Sequence, residues 1–243
     1  LESWAFEVEE NAEHQSIDAI VGWTKPPYVI EMNNSGFELE LVAAVFAQAG
    51  ITVQYSYVPH GRLSDLLKQG KADIALTLSP KLRAENLNLS LPYIHYQNAV
   101  ISLKSSNISL EKIEDIVEHS VVAFQNATKV LGEEYHAAVA RNLRYMEVPL
   151  QSRQVELLVH KRADIAVMDV NIFNYLSRHL TGSSFMNQVN IDYFFSSTPY
   201  HLGCLSTAIC ELFNQQLLRF LATPAYKQLV EKYEFIQRKV TNE

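Results

Sequence analysis

The pattern of hydrophobic and polar positions occurs twice along the chain. Residues 66–75 read Leu-Leu, four mostly polar residues and then Ala-Asp-Ile-Ala, and residues 157–166 follow the same order. Each copy predicts the end of an amphipathic helix that turns directly into a short buried strand. A helix-turn-strand unit present in two copies indicates two similar α/β lobes.

The rest of the pattern predicts alternating strands and helices. Strands are predicted over 18–23, 51–58, 120–124 and 165–168, with a largely apolar run over 96–103. Helices are predicted over 37–49, 110–118 and 152–160, from about 171, and twice near the end, where the last one begins at Thr223 and Pro224. This order predicts mainly parallel sheets flanked by helices.

The two lobes are predicted to be interleaved, because the sequence contains no long flexible linker. We assign residues 1–103 together with 196–243 to the first lobe, and residues 104–195 to the second. The chain crosses between the lobes near residues 96–103 and again near residues 194–205. Two such crossings would form a hinge.

Composition excludes several classes of function. The 243 residues suffice for two lobes of about 100 residues each. The net charge is −7 with no basic block, so nucleic acid is not expected as a partner. No apolar run approaches the roughly 18 residues that cross a bilayer. No catalytic signature, metal-ligand spacing or phosphate loop is present, so neither catalysis nor a cofactor is expected.

Cys204 and Cys210 are the only cysteines. In an exported protein they could form a disulfide bond that closes a small loop. The alternative is two reduced thiols that are buried as small apolar side chains. The sequence leaves both possibilities open.

The residues after each repeat copy predict a binding site. Ligands of open α/β sheets collect at the carboxyl ends of strands. The first copy leads into a loop with Thr77, Ser79 and Arg83, and the second leads to Asp169. A guanidinium fits a carboxylate as a two-donor fork, and Asp169 could pair with an ammonium group. The pair therefore suits a small zwitterion, although a surface ion pair is the alternative for Arg83.

Asp73 and Asp164 have a different expected role. Each occupies the turn that enters a repeat strand. At such a position a carboxylate more often fixes the turn than meets a ligand. We interpret both residues as structural.

An ordered set of motifs resembles the type II periplasmic solute-binding fold, and specifically family 3, the amino-acid-binding proteins of ABC importers. The motifs are Gly36–Leu41, Gly70–Asp73, Arg83 followed by Asn88–Tyr93, Arg162–Asp169 and Pro199–Gly203. The resemblance implies a two-lobed α/β fold that closes around a ligand. It also implies that Arg83 binds the α-carboxylate of the ligand and that Asp169 binds its α-ammonium.

The same resemblance implies a cellular setting. We expect a periplasmic receptor whose signal peptide has been removed, and which acts as a monomer. Its expected partners are a small-molecule ligand, an amino acid or a similar compound, and a membrane ABC permease or a sensor protein. Ligand identity and the choice between transport and sensing stay open.

Two departures from the family pattern affect the expected site. Where the family has Gly-Thr-Thr at a helix N-terminus, this chain has Asn126, Ala127 and Thr128. Either Thr128 or Asn126 would then hold the ligand carboxylate, or that contact is lost. The loop over 77–82 is also slightly short, so its match to the family is loose.

The aromatic wall of the expected site is also altered. His60 falls where the family tends to have a phenylalanine or tryptophan, so it could contact the ligand or only cover the pocket floor. Trp23 and Tyr28 flank the first loop, and Lys25 lies between them. Trp23 could stack on a ligand, or it could belong to the core of the first lobe.

Two other functions are consistent with the same fold. Cyclohexadienyl dehydratases resemble solute-binding proteins, and their chemistry needs a general acid or base in the cleft. The chain could also be the ligand-sensing module of a signalling protein. We expect a receptor without catalytic residues.

Overall fold

Two five-stranded sheets flanked by helices form the protein. The computed structural model describes residues 15–237, apart from the side chains of residues 83–85. The strands are β1 (Gln15–Val21), β2 (Ile51–Tyr57), β3 (Ile74–Leu78), β4 (Asn88–Tyr96), β5 (Asn98–Leu103), β6 (Val121–Phe124), β7 (Tyr145–Val148), β8 (Ile165–Asp169), β9 (Val189–Asp192) and β10 (Thr198–Cys204).

Helices pack against both faces of each sheet. They are α1 (Phe37–Ala47), α2 (Leu63–Lys68), α3 (Ala127–Val130), α4 (Glu133–Ala140), α5 (Gln151–Val159), α6 (Val170–Thr181), α7 (Thr207–Phe220) and α8 (Pro224–Tyr233). Short 3-10 helices occupy Glu31–Asn33, His60–Arg62, Pro80–Glu85, Lys104–Ser106, Ile113–Glu118 and Met186–Gln188.

The repeated sequence unit forms the centre of each sheet. The first sheet has the order β2-β1-β3-β10-β4, and the second has the order β7-β6-β8-β5-β9. In the first, β1 is parallel to β2 and β3, and β10 is antiparallel to its neighbours. In the second, β6 is parallel to β7 and β8, and β5 is antiparallel to its neighbours. The central strands β3 and β8 are the repeat strands, which confirms the prediction of two similar α/β lobes.

The chain passes between the sheets at Gln97. The strand before this residue, β4, belongs to the first sheet, and the strand after it, β5, pairs with β8 and β9 in the second. The predicted lobe boundary at residue 103 assigns β5 to the first lobe, although β5 pairs with strands of the second sheet. Strand pairing therefore favours a boundary at Gln97. The return passage lies between β9 and β10. The full lobe assignment stays a prediction.

The N-terminus of α1 is fitted closely to the loop after β1. Gly36 has a φ of 120°, and a Cβ there would lie 2.3 Å from the Tyr28 carbonyl oxygen. The backbone N–H groups of Phe37 and Glu38 donate to the carbonyl oxygens of Pro27 and Tyr28 at 2.8 and 3.0 Å. Only glycine therefore allows the backbone of residue 36 to lie this close to the Tyr28 carbonyl, and this close contact places Tyr28 and Glu38 next to each other.

Asp73 and Asp164, which occupy the turns before the two repeat strands, both have the structural role that the sequence predicts. Asp73 accepts a hydrogen bond from the backbone N–H of Asp18 at 2.8 Å. Asp164 accepts hydrogen bonds from the backbone N–H and the hydroxyl of Ser120, each at 2.8 Å. Each carboxylate thus ties a central strand to the neighbouring parallel strand, which confirms a structural role.

The predicted helix over 110–118 is wrong. The structure has only the 3-10 helix Ile113–Glu118 in this region. Asp115 accepts hydrogen bonds from the backbone N–H groups of Glu111 and Lys112 at 2.9 and 3.1 Å. These bonds fold the segment back as a local turn, so an α-helix cannot begin at Leu110.

A disulfide bond joins Cys204 to Cys210, with a Cα–Cα distance of 5.7 Å. It connects the end of β10 to the first turn of α7. Of the two possibilities that the sequence leaves open, the structure contains the disulfide. The final helix begins as predicted, with Thr223 as its N-cap and Pro224 in its first turn.

A C-terminal strap, residues 234–237, connects α8 to α6, the helix that follows β8. The ring of Phe235 stacks on Phe37 with centroids 3.8 Å apart. The Asn171 side chain on α6 accepts from the Ile236 N–H at 2.7 Å and donates to the Ile236 carbonyl at 3.3 Å. The strap therefore adds a third connection between the sheets, besides the two chain crossings.

Within residues 15–237, none of the helices combines the length and the apolar character that a membrane span requires.

Candidate ligand-binding site between the two sheets

The predicted site residues lie at the carboxyl edges of the two sheets. In the first sheet, Trp23, His60 and Ser79 follow the parallel strands β1, β2 and β3, and Thr77 lies near the end of β3. In the second sheet, the residues that follow or end β6, β7 and β8 are Asn126, Thr128, Glu147 and Asp169. Parallel strands place these ends side by side, so each lobe presents one group of polar residues.

Asp169 joins the two groups. Its carboxylate caps α6 by accepting from the N–H groups of Asn171 and Ile172 at 2.9 and 3.0 Å. It also accepts from the Gln97 N–H at 2.8 Å. From the first lobe, the Tyr28 hydroxyl reaches both carboxylate oxygens at 2.9 Å. The acid of one lobe is therefore hydrogen-bonded across the interface to the other.

The environment of Asp169 shifts its protonation. Burial is the dominant influence, and it raises the pKa of the carboxyl to about 6, against the opposing effect of the hydrogen bonds that it accepts. Burial also raises the pKa of Tyr28 well above its ordinary value, and the charge of Asp169 adds to this effect. Tyr28 therefore stays protonated and remains a hydrogen-bond donor to Asp169.

Aromatic packing fixes the orientation of Tyr28. Its ring stacks on Tyr96 with centroids 4.0 Å apart and meets the edge of Phe235 at 5.4 Å. The amide of Asn171 lies 3.3 Å from the Tyr28 hydroxyl. The Tyr28 hydroxyl of the first lobe thus contacts both Asp169 and Asn171, the residue that binds the C-terminal strap.

Glu38 forms a second polar centre, entirely inside the first lobe. Its carboxylate is fully buried and accepts hydrogen bonds from the hydroxyls of Thr77 at 2.6 Å, Tyr96 at 3.1 Å and Tyr93. Thr77 has a φ of 58°, unusual for a β-branched residue, and its N–H lies 2.9 Å from the Tyr93 hydroxyl. The predicted site residue Thr77 therefore contacts Glu38.

Glu38 is not among the residues that the sequence predicts for this site. The available signal was an acidic residue between Phe37 and Leu39, both of which are buried. An acid flanked by core residues near a helix N-terminus indicates a buried carboxylate with dedicated donors.

Lys25 supplies a cation near both acids. Its Nζ lies 4.3 Å from the centre of the Tyr96 ring. Burial lowers the pKa of this amine, while the charges of Glu38 and then Asp169 act in the opposite direction. An ammonium group over an aromatic face, with carboxylates nearby, is a favourable arrangement for a desolvated cation.

The Glu147 carboxylate accepts hydrogen bonds from Asn126 and Thr128, the two residues predicted as alternative partners of a ligand carboxylate. Its carboxylate accepts from the N–H groups of Asn126 at 2.7 Å and Thr128 at 3.0 Å. The Thr128 hydroxyl donates to it at 3.0 Å and the Tyr145 hydroxyl at 2.9 Å. Burial opposes ionisation of Glu147, but these hydrogen bonds together hold the pKa below its ordinary value. Glu147 is not among the predicted site residues, and the available signal was its place on the strand beside β6.

The remaining predicted residues lie around this centre. Trp23 is 62% exposed, so the structure excludes the alternative that it is a core residue. The His60 ring packs against Gly22, and burial, followed by the charge of Lys25, lowers its pKa. Ser79 accepts a long hydrogen bond of 3.4 Å from the Lys81 N–H. Arg83 is in the 3-10 helix Pro80–Glu85, and its side chain lies outside the described residues.

No group of three or more histidine, cysteine, aspartate or glutamate side chains arranged to hold a metal ion occurs among the described residues.

Comparison with known proteins identifies the family. The family model for bacterial extracellular solute-binding proteins, family 3, matches residues 19–236. The chain belongs to this family. No curated protein sequence matches it.

Solved structures support the fold of this family 3 protein. An ancestral cationic amino acid solute-binding protein has a TM-score of 0.72 and 19% identity, covering 90% of this chain and 95% of that chain. A histidine kinase sensor domain similar to periplasmic binding proteins has a TM-score of 0.67 and 18% identity, covering 93% and 99%. A substrate-binding protein of an ABC uptake transporter from Streptococcus pneumoniae, with bound histidine, has a TM-score of 0.62 and 17% identity, covering 90% and 92%.

Proposed function

We propose that the chain is a periplasmic receptor that captures a small ligand carrying an ammonium group between its two lobes. The observation that supports this best is Asp169, a buried carboxylate of the second lobe that meets a hydrogen-bond donor of the first. An ammonium group is a donor of the same kind with a full positive charge, so it would bind this acid more strongly than a hydroxyl does.

In the proposed mechanism, the ligand takes the place of the Tyr28 hydroxyl. With the lobes apart, Asp169 loses Tyr28 but keeps the backbone donors of Asn171 and Ile172, which belong to its own lobe. A ligand ammonium then pairs with Asp169, and closure brings the first lobe onto the ligand. The ligand favours closure only through its greater affinity for the closed form.

The first-lobe contacts are proposed for Trp23, His60, Ser79 and Arg83. Trp23 offers an exposed aromatic face at the edge of the cleft. Arg83 is the proposed partner of a ligand carboxylate, because Glu147 already occupies the donors of Asn126 and Thr128. Amino acids are the first ligand class to test, since two of the similar structures are described as amino-acid binders.

The downstream partner is proposed to be an ABC permease, with a signalling protein as the alternative. The similar structures include both a transporter component and a histidine kinase sensor domain. Receptor closure is the same physical event in both cases, and we propose that a monomer performs it.

We propose that the chain does not catalyse a reaction. The group that would favour catalysis is Asp169, whose pKa of about 6 suits a general acid. We propose instead that this carboxylate, which caps α6, pairs with the ligand ammonium and transfers no proton to the ligand. Turnover of prephenate or arogenate would contradict this assignment, and we expect none.

The test is a thermal-shift screen against the twenty amino acids, polyamines and small carboxylates. A ligand that binds only the folded protein stabilises it by mass action and so raises the melting temperature. At a free concentration of a hundred times Kd, the free energy of unfolding rises by about 2.7 kcal/mol. We expect one ligand class to shift the wild type and an Arg62→Ala control, and to shift Asp169→Asn much less. If no amine or amino acid shifts the wild type, the proposed function is wrong.

A further inference from the structure

We propose that the C-terminal strap, residues 234–237, is a clasp that opposes ligand binding, because a ligand can pair with Asp169 only when the strap releases α6. The strap then lowers the affinity of the receptor without contacting the ligand. This inference rests on the proposed receptor function and adds a regulatory element to it.

The second lobe binds the strap through buried side chains of α6. The Asn171 side chain accepts from the Ile236 N–H at 2.7 Å and donates to the Ile236 carbonyl oxygen at 3.3 Å. The Asn174 side chain donates to the Glu234 carbonyl oxygen at 3.1 Å. Both asparagines are buried, and Arg178 adds an ion pair with the Glu234 carboxylate. Buried amides that bind the strap backbone form a specific attachment and not a chance surface contact.

The first lobe holds the strap at its other end. The helix that precedes the strap, α8, is tied to α1 by the ion pair of Lys232 with Glu40 at 2.6 Å. Within the strap, the Phe235 ring stacks on Phe37 with centroids 3.8 Å apart and meets the edge of the Tyr28 ring at 5.4 Å. The strap therefore spans the two lobes directly beside Tyr28.

Asn171 connects the strap to the acid of the proposed ligand site. Its backbone N–H donates to the Asp169 carboxylate at 2.9 Å, and its amide nitrogen lies 3.3 Å from the Tyr28 hydroxyl. The same side chain binds Ile236 of the strap. The strap and the Tyr28–Asp169 hydrogen bonds therefore cross the interface next to each other, and both involve Asn171.

A ligand ammonium on Asp169 separates the lobes at this point. The Tyr28 ring is fully buried and stacks on Tyr96, so its hydroxyl leaves Asp169 by movement of the lobe and not by rotation of the ring. Room for an ammonium group requires a separation of roughly 3 Å, the length of a hydrogen bond. The hydrogen bonds of Asn171 and Asn174 to the strap are lost in such a movement, because they do not persist beyond about 3.5 Å between heavy atoms.

The coupling between the strap and the ligand is reciprocal. If ligand binding requires release of the strap, a weaker strap lowers the free-energy cost of ligand binding by the same amount. A strap that only stabilises the fold has no such effect, because its contribution is the same with and without ligand. Ligand affinity therefore distinguishes a clasp from a purely structural contact.

The experiment is isothermal titration at pH 7 with the twenty amino acids, putrescine and cadaverine as probes. The proteins are the wild type, Asn174→Ala and Asn142→Ala. Asn174 binds the strap and is not part of the proposed ligand site. Asn142 is the matched control, a buried asparagine of the second lobe whose amide donates to the backbone carbonyls of Ile116 and His119. Circular dichroism establishes that both variants are folded.

A second measurement observes the strap directly in the wild type. Hydrogen exchange of the Ile236 N–H is measured without a probe and with a saturating concentration of each probe that binds. This N–H is bonded to Asn171, so its exchange rate reports whether the strap is attached to α6. The measurement does not depend on the folding of a variant.

We expect Asn174→Ala to bind the same probes as the wild type about two- to tenfold more tightly, the range for one hydrogen bond removed from the clasp. Asn142→Ala should bind them with unchanged affinity. A bound probe should accelerate exchange of the Ile236 N–H in the wild type at least about tenfold, because the strap is then released.

Two results overturn the inference. If Asn174→Ala binds the probes with equal or lower affinity, or if a bound probe leaves exchange of the Ile236 N–H unchanged or slower, the strap does not oppose ligand binding, and the receptor function stands. If no probe binds any of the three proteins, the proposed function fails, and this inference fails with it.

Discussion

Glu38 in the first lobe and Glu147 in the second each lie in a cage of hydrogen-bond donors, and the two cages differ in burial. Glu38 in the first lobe is fully buried among the hydroxyls of Thr77, Tyr93 and Tyr96. Glu147 in the second lobe is half-buried, and two of its donors are backbone N–H groups. The first cage belongs to the core of the first lobe, and the second lies at the partly exposed start of α3.

This difference in burial determines what the loss of each carboxylate costs. A fully buried acid cannot exchange its donors for water, so its removal leaves several unsatisfied groups. A half-buried acid can, so its removal leaves donors that water can satisfy. Asp169 differs from both, because it is buried and accepts a hydrogen bond from Tyr28 across the interface between the lobes.

The largest expected effect comes from breaking the buried cage. Glu38→Ala leaves the hydroxyls of Thr77, Tyr93 and Tyr96 without an acceptor, and should lower the free energy of unfolding by about 3 kcal/mol or more. Glu38→Gln retains one acceptor oxygen and should cost less. Urea denaturation measures both, and a cost below about 1 kcal/mol for Glu38→Ala would contradict the account.

A smaller effect concerns the pH dependence of Asp169. Because its folded pKa of about 6 lies above the value of an ordinary aspartate, folding favours the protonated form. Its contribution to stability is complete below about pH 4 and is lost as the pH rises through 6. The stability of the wild type relative to Asp169→Asn should therefore fall by on the order of 2 kcal/mol over this interval. A difference that is constant or increases with pH would refute the shift.

Removing the hydroxyl that crosses the interface should have a moderate effect. Tyr28→Phe keeps the stacking on Tyr96 but deprives Asp169 of its donor from the other lobe. We expect a loss of about 1–2 kcal/mol in the free energy of unfolding. Tyr55→Phe removes a hydroxyl that donates to the backbone of Leu39, within the first lobe, and serves as the control. In small-angle X-ray scattering, Tyr28→Phe should increase the radius of gyration, and Tyr55→Phe should not.

The smallest effect on stability is expected at the half-buried cage. Glu147→Ala should cost about 0.5–1 kcal/mol, the usual range for a lost helix cap. Since hydrogen bonds lower the pKa of Glu147, its contribution is present above the ordinary glutamate pKa and is lost as the pH falls through the folded value, opposite in sign to Asp169. Thermal denaturation at pH 7 and pH 3 would measure this, and a cost that grows on acidification would be inconsistent with it.

The sequence predicted the parts of the fold that local pattern determines. The repeat unit correctly gave the central strands β3 and β8, and Thr223 with Pro224 gave the start of α8. The prediction of a helix over 110–118 was wrong because a single carboxylate, that of Asp115, binds the backbone N–H groups of Glu111 and Lys112 and folds this segment into a turn. A hydrophobic pattern does not contain that information.

The candidate site was predictable in position but not in its internal partners. Strand ends identified Asp169 and Thr128 as residues of the carboxyl edge of the second sheet. The groups that satisfy them, Tyr28 and Glu147, are 141 and 19 residues away in the sequence. Such contacts depend on strand register and lobe packing, and the patterns in a single sequence do not reveal either.

A crystal structure of the wild type with the ligand that gives the largest thermal shift tests the proposed site most directly. We expect the ligand ammonium to contact Asp169 in place of the Tyr28 hydroxyl. A ligand bound elsewhere, with the Tyr28 hydroxyl still on Asp169, would contradict the proposed function.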